Sequence, residues 1–255
     1  MVRAIVYLLA IVTAEVITVV YQPIAGIACH FAILLAVMMD SALWDKYYYG
    51  HLTLSLSLVP LVRIISLSMP LVDIPQLWWY PIIYLPLLAS AIVLVRLLDY
   101  RPRDVGFSFG YSFGLIPVHL LIGLLGIGFG IAEYLIIDAE PLVADPTWQN
   151  AWLPALLLLL TTGFVEEFIF RGVMQRAAVE AFGGWGIVYV SLLFAVLHIG
   201  WIEAANPLSW LDIAFVFVIA LFFGWVVKKT GSLLGVTLSH GLTNIVLFIV
   251  APVFF

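Results

Sequence analysis

Three ionisable side chains follow one another closely inside an apolar stretch of the sequence. Glu166 and Glu167 are adjacent, and Arg171 stands four residues after Glu167. On a helix, adjacent side chains point about 100° apart, so the two carboxylates cannot do the same job. Glu167 and Arg171 have the spacing and order of an i,i+4 ion pair. The sequence therefore predicts that Arg171 neutralises Glu167, and that Glu166, unpaired within its own helix, is a candidate general base.

Two histidines and one amide occur in later apolar stretches. His198 follows Phe194 by four residues, and His240 precedes Asn244 by four residues, which places each pair on one helix face. At about 1.5 Å per residue, Glu166 and His198 lie roughly 18–20 Å from the predicted cytoplasmic ends of their helices. His240 and Asn244 lie roughly 11–17 Å from theirs. These depths allow one shared pocket inside the bilayer.

The elements that must position these residues are transmembrane helices. Of the 255 residues, 65% are hydrophobic and only 10% are charged, whereas a soluble domain is about half apolar and a quarter charged. This composition excludes a soluble globular protein and a polar disordered chain. The runs 156–160 and 215–223 are apolar on every face, which excludes the alternating strands of an outer-membrane barrel.

Nine apolar segments predict an all-α transmembrane bundle of about nine spans, with eight as the alternative count. The segments cover about 4–21, 24–39, 52–71, 77–97, 111–137, 151–178, 185–200, 211–228 and 233–253. Eight of the ten Lys and Arg residues lie on one side if the segments alternate, and they are Arg3, Lys46, Arg96, Arg101, Arg103, Arg176, Lys228 and Lys229. The opposite loops contain acidic residues such as Asp73, Asp138 and Glu203. The positive-inside rule then predicts a multi-pass membrane protein with a cytoplasmic N-terminus, in the plasma membrane if the organism is prokaryotic.

These motifs match a known family. Glu166-Glu167 with Arg171, Phe194 with His198, and His240 with Asn244 resemble, in order and spacing, the three motifs of the CPBP intramembrane endopeptidases, a group named for CAAX proteases and bacteriocin-processing enzymes. The resemblance covers about residues 150–250. It implies a catalytic core of four helices within residues 111–255, preceded by N-terminal transmembrane helices over residues 1–110 that carry no recognised motif.

The resemblance implies a hydrolase of the CAAX prenyl endopeptidase kind that cleaves a peptide bond within the membrane. Glu166 and His198 would hold and activate a water molecule, while His240 and Asn244 would stabilise the oxyanion. The remaining motif residues would contact these four and hold them in position, and they are Glu167, Arg171 and Phe194.

The implied cofactor and partners follow from the same residues. Glu166, His198 and His240 could ligate zinc in a catalytic site, but a water activated by glutamate needs no metal, and we favour the mechanism without one. The implied substrate is a membrane-associated peptide or protein, prenylated for a CAAX-type activity and not prenylated in other branches of the family. The lipid bilayer is the other partner, and no basic run indicates nucleic-acid binding.

A non-enzymatic membrane protein is the alternative. In a transporter or a bacteriocin-immunity protein, the same polar residues would form an interhelical network or an ion path. The two hypotheses differ in whether the four catalytic candidates converge on one water-accessible cavity. Three other patterns receive structural interpretations: Glu15 and Arg63 as an ion pair between spans, 106–110 as a turn and not a nucleophile elbow, and Gly126-x-x-x-Gly130 as close helix packing.

Overall fold

A computed structural model describes residues 2–44, 48–70, 73–110, 113–201 and 207–255, and every regular element in these ranges is helical. The all-α prediction is therefore confirmed for the described part of the chain. The α-helices are α1 (Val2–Val20), α2 (Pro23–Trp44), α3 (Tyr48–Ser55), α4 (Leu58–Ser68), α5 (Gln76–Leu97), α6 (Ile116–Ile137), α7 (Trp148–Leu158), α8 (Gln175–Phe182), α9 (Trp185–Val196), α10 (Pro207–Thr230), α11 (Leu234–Ile245) and α12 (Ala251–Phe254). Lys46 and Glu203, which entered the orientation argument, lie outside the described residues.

Among the described residues, eight helices are long and apolar enough to cross a membrane, which indicates a multi-pass integral membrane protein. They are Val2–Val20, Pro23–Leu43, Tyr49–Ser68, Gln76–Leu97, Ile116–Ile137, Trp148–Phe182, Leu208–Thr230 and Leu234–Phe254. The predicted segment 185–200 is a shorter apolar helix, Trp185–Ile199, because it begins after the turn at Gly183 and narrows into a 3-10 turn from Leu197. The structure thus supports eight long spans, and the ninth span and the orientation stay predictions.

One continuous helix of 35 residues, Trp148–Phe182, carries the acidic motif and is called the long helix below. Its two ends are α-helical, but its centre is π-helical over Leu159–Glu166 and Phe168–Met174. Glu166 and Glu167 therefore stand where two π-helical stretches meet. Because π-helical turns are rare and are frequently found at functional sites, this winding marks the same residues as the sequence motif.

Small and hydroxyl-bearing residues accompany the π-helical winding. The hydroxyls of Thr161 and Thr162 donate to backbone carbonyls one turn earlier, at 2.6 and 2.7 Å, and such back-bonding often bends a helix. At Gly163 a Cβ would lie 2.9 Å from backbone atoms of Gly241 in α11. The absence of a side chain therefore lets α11, which carries His240, approach the long helix closely.

The N-terminal helices pack against the helices that carry the motifs. Buried apolar side chains from Ala4 in α1 to Val236 in α11 form one continuous cluster. The hydroxyl of Tyr189 in α9 donates to the carbonyl oxygen of Ala4 at 2.9 Å. The predicted pair between Glu15 and Arg63 is confirmed, with Nε of Arg63 2.7 Å from Oε1 of Glu15. Contacts thus cross the boundary expected near residue 110.

Candidate active site

Glu166 faces a helix of the N-terminal half. The hydroxyl of Tyr84 in α5 donates a hydrogen bond to Oε1 of Glu166. The Glu166 side chain is 14% exposed, so its carboxylate is shielded by protein but remains accessible. The sequence indicated that Glu166 lacks a partner in its own helix, and the structure supplies one from another helix.

The second carboxylate, Glu167, links two of the motifs. Nη1 of Arg171 lies 3.1 Å from Oε1 of Glu167, which confirms the predicted i,i+4 ion pair, and both side chains are buried. Nδ1 of His240 lies 2.8 Å from the same Oε1. The other ring nitrogen of His240, Nε2, lies 3.8 Å from Oε2 of Glu166. His240 therefore lies between the two adjacent carboxylates.

Phe194 is the apolar centre of this polar cluster. The guanidinium carbon of Arg171 lies 4.3 Å from the centroid of the Phe194 ring, within the range of a cation–π contact. The ring centroids of His198 and His240 lie 4.9 and 6.0 Å from the same centroid. A single aromatic side chain thus contacts residues from all three motifs.

His198 is held by its surrounding backbone. It lies in the 3-10 turn Leu197–Trp201 that follows α9. Nδ1 of His198 lies 2.9 Å from the carbonyl oxygen of Phe194. A carbonyl only accepts, so in the neutral imidazole Nδ1 carries the proton and Nε2 keeps its lone pair. One residue before His198, the carbonyl of Leu197 accepts a hydrogen bond from the guanidinium of Arg63.

Glu166 and His198 line the same cavity, which has a volume of about 90 Å³. The other polar residues of its wall are Arg63, Ser66 and Tyr84, all from α4 and α5. A cavity of this size with several polar groups in its wall can hold a small number of water molecules. The structure therefore brings together the two residues expected to activate water, and the N-terminal helices build much of the wall around them.

His240 and Asn244 lie one turn apart on α11. The His240 side chain is 12% exposed, and Asn244 is half-buried. Neither residue is in the described wall of the 90 Å³ cavity. The structure thus brings His240 near Glu166, whereas for Asn244 it establishes only a place one turn from His240.

The zinc set considered from the sequence can be compared with this geometry. Among the described residues, no three His, Cys, Asp or Glu side chains are grouped so that they could hold a metal ion. In both histidines of the proposed zinc set, Nδ1 already has a partner: the Phe194 carbonyl for His198 and the Glu167 carboxylate for His240. Glu166, His198 and His240 therefore do not form a preassembled metal site here.

The sequence interpretation missed several polar residues of the spans, among them His30 in α2, whose Nε2 lies 3.3 Å from Oε1 of Glu15. Glu133 in α6 and Asp212 in α10 are carboxylates inside apolar helices, and Asp212 is only 8% exposed. Both carry the signal that singled out the acidic motif, an ionisable residue within a span. Tyr84 carries no such signal, because tyrosines are common in membrane proteins near the bilayer interfaces.

Comparison with known proteins agrees with the motifs. Residues 148–246 match the family described as Type II CAAX prenyl endopeptidase Rce1-like. The match begins at the first residue of the long helix and includes Glu166, His198, His240 and Asn244. No curated protein and no solved structure matches the chain. Residues 148–246 of this chain therefore form a domain of the Rce1-like type II CAAX prenyl endopeptidase family, within the CPBP group.

Proposed function

We propose that this chain is an intramembrane endopeptidase in which Glu166 and His198 activate a water molecule for attack on a peptide bond. The observation that carries the proposal is the cavity that both side chains line, one from the long helix and one from the turn after α9. The Rce1-like domain supports peptide-bond hydrolysis as the reaction class.

Water activation uses the two residues in different ways. Because Nδ1–H of His198 donates to the Phe194 carbonyl, Nε2 can accept a hydrogen bond from the water and orient it. The Glu166 carboxylate takes a proton as the water oxygen bonds to the carbonyl carbon of the substrate. When the tetrahedral intermediate collapses, the C–N bond breaks and Glu166 passes that proton to the leaving amine.

We assign stabilisation of the oxyanion to His240, with the Asn244 amide as a second donor. Nδ1–H of His240 donates to Glu167, which directs Nε2 toward Glu166. A doubly protonated His240 then presents an N–H at Nε2 to the oxyanion. The carboxylates of Glu166 and Glu167 carry two negative charges, and Arg171 and the doubly protonated His240 carry two positive charges. The cluster therefore has no net charge, which suits a site shielded from water.

The substrate class follows from the location of the site. Glu166 lies in a helix long and apolar enough to cross a membrane, and His198 lies near the end of the shorter apolar helix Trp185–Ile199, so we expect the scissile bond to reach them through a gap between helices. We propose a membrane-associated peptide or protein as the substrate. Removal of the last three residues of a prenylated protein is the first activity to test, and an unprenylated substrate is the second.

Glu166→Gln tests the mechanism because it keeps the shape of the side chain and removes the base. The protein would be purified, reconstituted in liposomes and assayed with matched farnesylated and unprenylated peptides. We expect the cleavage rate to fall by at least about 100-fold, the lower range for loss of a general base. Glu140→Gln, a change in an exposed loop, is the matched control and should keep full activity. Undiminished cleavage by Glu166→Gln would overturn the mechanism.

The same variant can identify the substrate. A protein that binds its substrate without cleaving it should retain peptides from its native membranes, and mass spectrometry would identify them. The non-enzymatic alternative gains if the wild-type protein cleaves none of the test peptides and Glu166→Gln retains none from the membrane.

A further inference from the structure

A second, larger cavity lies toward the C-terminal end of the long helix. Its volume is about 610 Å³, within the range of small-molecule sites. Its wall includes Arg103 from the 3-10 turn Pro102–Val105, Arg176 from α8 and Lys228 from α10. Three separate elements thus each contribute a basic side chain to one concave surface.

Little negative charge balances these side chains. Asp104 is the acidic residue in the described wall of the cavity, and its Oδ2 accepts a hydrogen bond from the backbone N–H of Arg101 at 2.9 Å. Among the described residues, no carboxylate forms an ion pair with Arg103 or Lys228. Within the described part of the chain, two of the three basic side chains therefore remain free to bind an anion.

The third basic side chain, Arg176, already forms an ion pair with Glu180. Nε of Arg176 lies 2.8 Å from Oε1 of Glu180, and the hydroxyl of Tyr100 donates to Oε2 of the same carboxylate at 2.7 Å. Burial and this hydrogen bond raise the pKa of Tyr100, which therefore stays a neutral donor. A guanidinium has five N–H donors, so Arg176 keeps donors for a ligand beyond those that face Glu180.

The inner wall of the cavity contains an unsatisfied donor. Arg171 lines the cavity, and its side chain is 1% exposed. Nη2 of Arg171 is buried without a hydrogen-bond partner among the described residues. Buried polar groups are nearly always satisfied, and an exception in the wall of a cationic cavity indicates a place for an anion.

We propose that this cavity binds the phosphate group of an anionic ligand, with Arg103, Arg176 and Lys228 as its ligands. Arginine and lysine are the side chains that bind phosphate, arginine through paired N–H donors and lysine as a point charge. All three lie at helix ends that the positive-inside rule assigns to the cytoplasm. Basic pockets between transmembrane helices on that side bind anionic lipid head groups, and free phosphate offers the same chemistry.

The chain offers a charge-matched pair of variants for the test. Arg103→Gln with Lys228→Gln removes two positive charges from the wall of the cavity. Arg101→Gln with Lys229→Gln removes two exposed charges from neighbouring positions outside that wall. The full chain would be purified in neutral detergent, and its thermal unfolding would be followed with added phosphatidylglycerol, phosphatidylcholine, sodium phosphate or sodium chloride at matched ionic strength. A ligand that binds only the folded state raises the unfolding midpoint.

We expect phosphatidylglycerol, but not phosphatidylcholine, to stabilise the wild type and the control double variant. The cavity double variant should bind it roughly 30-fold more weakly, as the loss of two basic contacts predicts. If sodium phosphate stabilises with the same dependence and phosphatidylglycerol does not, the ligand is a soluble phosphate and the site stands. No stabilisation by either probe, or equal effects in both double variants, would overturn the proposal. If the cavity double variant does not fold, Lys228→Gln against Lys229→Gln provides the same comparison.

Discussion

The hydroxyl of Tyr84 donates a hydrogen bond to Oε1 of Glu166, so the proposed base is held by a helix outside the Rce1-like domain. Tyr84 lies in α5, whereas the domain comprises residues 148–246. A hydrogen bond to a charged group contributes about 1.5–3 kcal/mol, enough to favour one orientation of the carboxylate. The N-terminal helices are therefore expected to influence catalysis as well as stability.

Tyr84→Phe tests this influence, because it keeps the ring and removes the hydroxyl. Since Tyr84 acts on Glu166 and not directly on the substrate, we expect kcat to fall about tenfold while KM changes less than about twofold. Tyr189→Phe removes another buried hydroxyl, the one bonded to the Ala4 carbonyl, and should leave kcat unchanged. Both are measured by steady-state cleavage of the same peptide.

Repeating Tyr84→Phe in a Glu166→Asp protein shows whether Tyr84 acts by positioning Glu166 or has a general effect on the structure. In Glu166→Asp, the shorter side chain no longer meets the Tyr84 hydroxyl, so adding Tyr84→Phe should cost little further activity. If Tyr84→Phe lowers kcat equally in both backgrounds, or if Tyr189→Phe lowers it as much, Tyr84 does not act through Glu166.

Arg63 links a buried ion pair to the turn that carries His198. It pairs with Glu15 at 2.7 Å and donates to the Leu197 carbonyl. Arg63→Met should cost about 3–5 kcal/mol in the free energy of unfolding, because it removes the guanidinium from the buried Glu15 carboxylate and leaves only His30, 3.3 Å away, beside it. Adding Glu15→Leu removes that charge and should restore most of the stability.

The kcat of the double variant Arg63→Met with Glu15→Leu should stay low, because the Leu197 carbonyl next to His198 still lacks its hydrogen-bond donor. Unfolding in dodecyl sulfate mixed micelles measures stability, and peptide cleavage measures kcat. Recovery of both properties would show that Arg63 serves only the ion pair and has no part in placing His198.

The pairing of ionisable residues within the spans could be predicted from the sequence, because such side chains cost free energy inside a membrane. Glu167 and Arg171 stand out because ionisable side chains within spans need partners, and their spacing predicts the pair that the structure contains. The same reasoning predicts the pair between Glu15 and Arg63, which the structure also contains. Glu133 and Asp212 carry an equal signal, but the sequence interpretation does not include them.

Features that depend on packing between helices could not be predicted. The π-helical winding around Glu166 could not be predicted, because the hydrophobic pattern of such a helix resembles that of an ordinary span. The partnership between Tyr84 and Glu166 joins residues far apart in the sequence, and no periodicity encodes it. The segment 185–200 has the composition of a span, but its helix is shortened by turns at both ends.

Two ion pairs on the long helix have the same spacing but differ in burial. Arg171 and Glu167 have side chains 1% and 0% exposed, whereas Arg176 and Glu180 are 46% and 16% exposed. Arg171→Gln should therefore cost about 3–5 kcal/mol in the free energy of unfolding, because a buried carboxylate loses its partner. Arg176→Gln should cost less than about 1 kcal/mol. Similar losses in dodecyl sulfate titrations of the two variants would mean that His240 alone compensates Glu167.

Two glycines of α6 differ in what surrounds them. A Cβ on Gly126 would lie 2.8 Å from the carbonyl carbon of Ser239 in α11, whereas a Cβ on Gly128 would meet nothing within 4 Å. The close approach at Gly126 confirms the packing that the Gly-x-x-x-Gly pattern predicts. The same helix therefore provides a test position and a control position separated by one residue.

Gly126→Ala should destabilise the protein by about 1–3 kcal/mol, because α6 and α11 must separate to admit the methyl group. Gly128→Ala should stabilise it by about 0.5–1 kcal/mol, since alanine restricts the unfolded chain more than glycine does. Because α11 carries His240 near Glu166, Gly126→Ala should also lower kcat, while Gly128→Ala should not. Unfolding titrations and peptide cleavage assays of the two variants measure these effects. Equal stability and equal kcat would show that the contact between α6 and α11 does not set the position of His240.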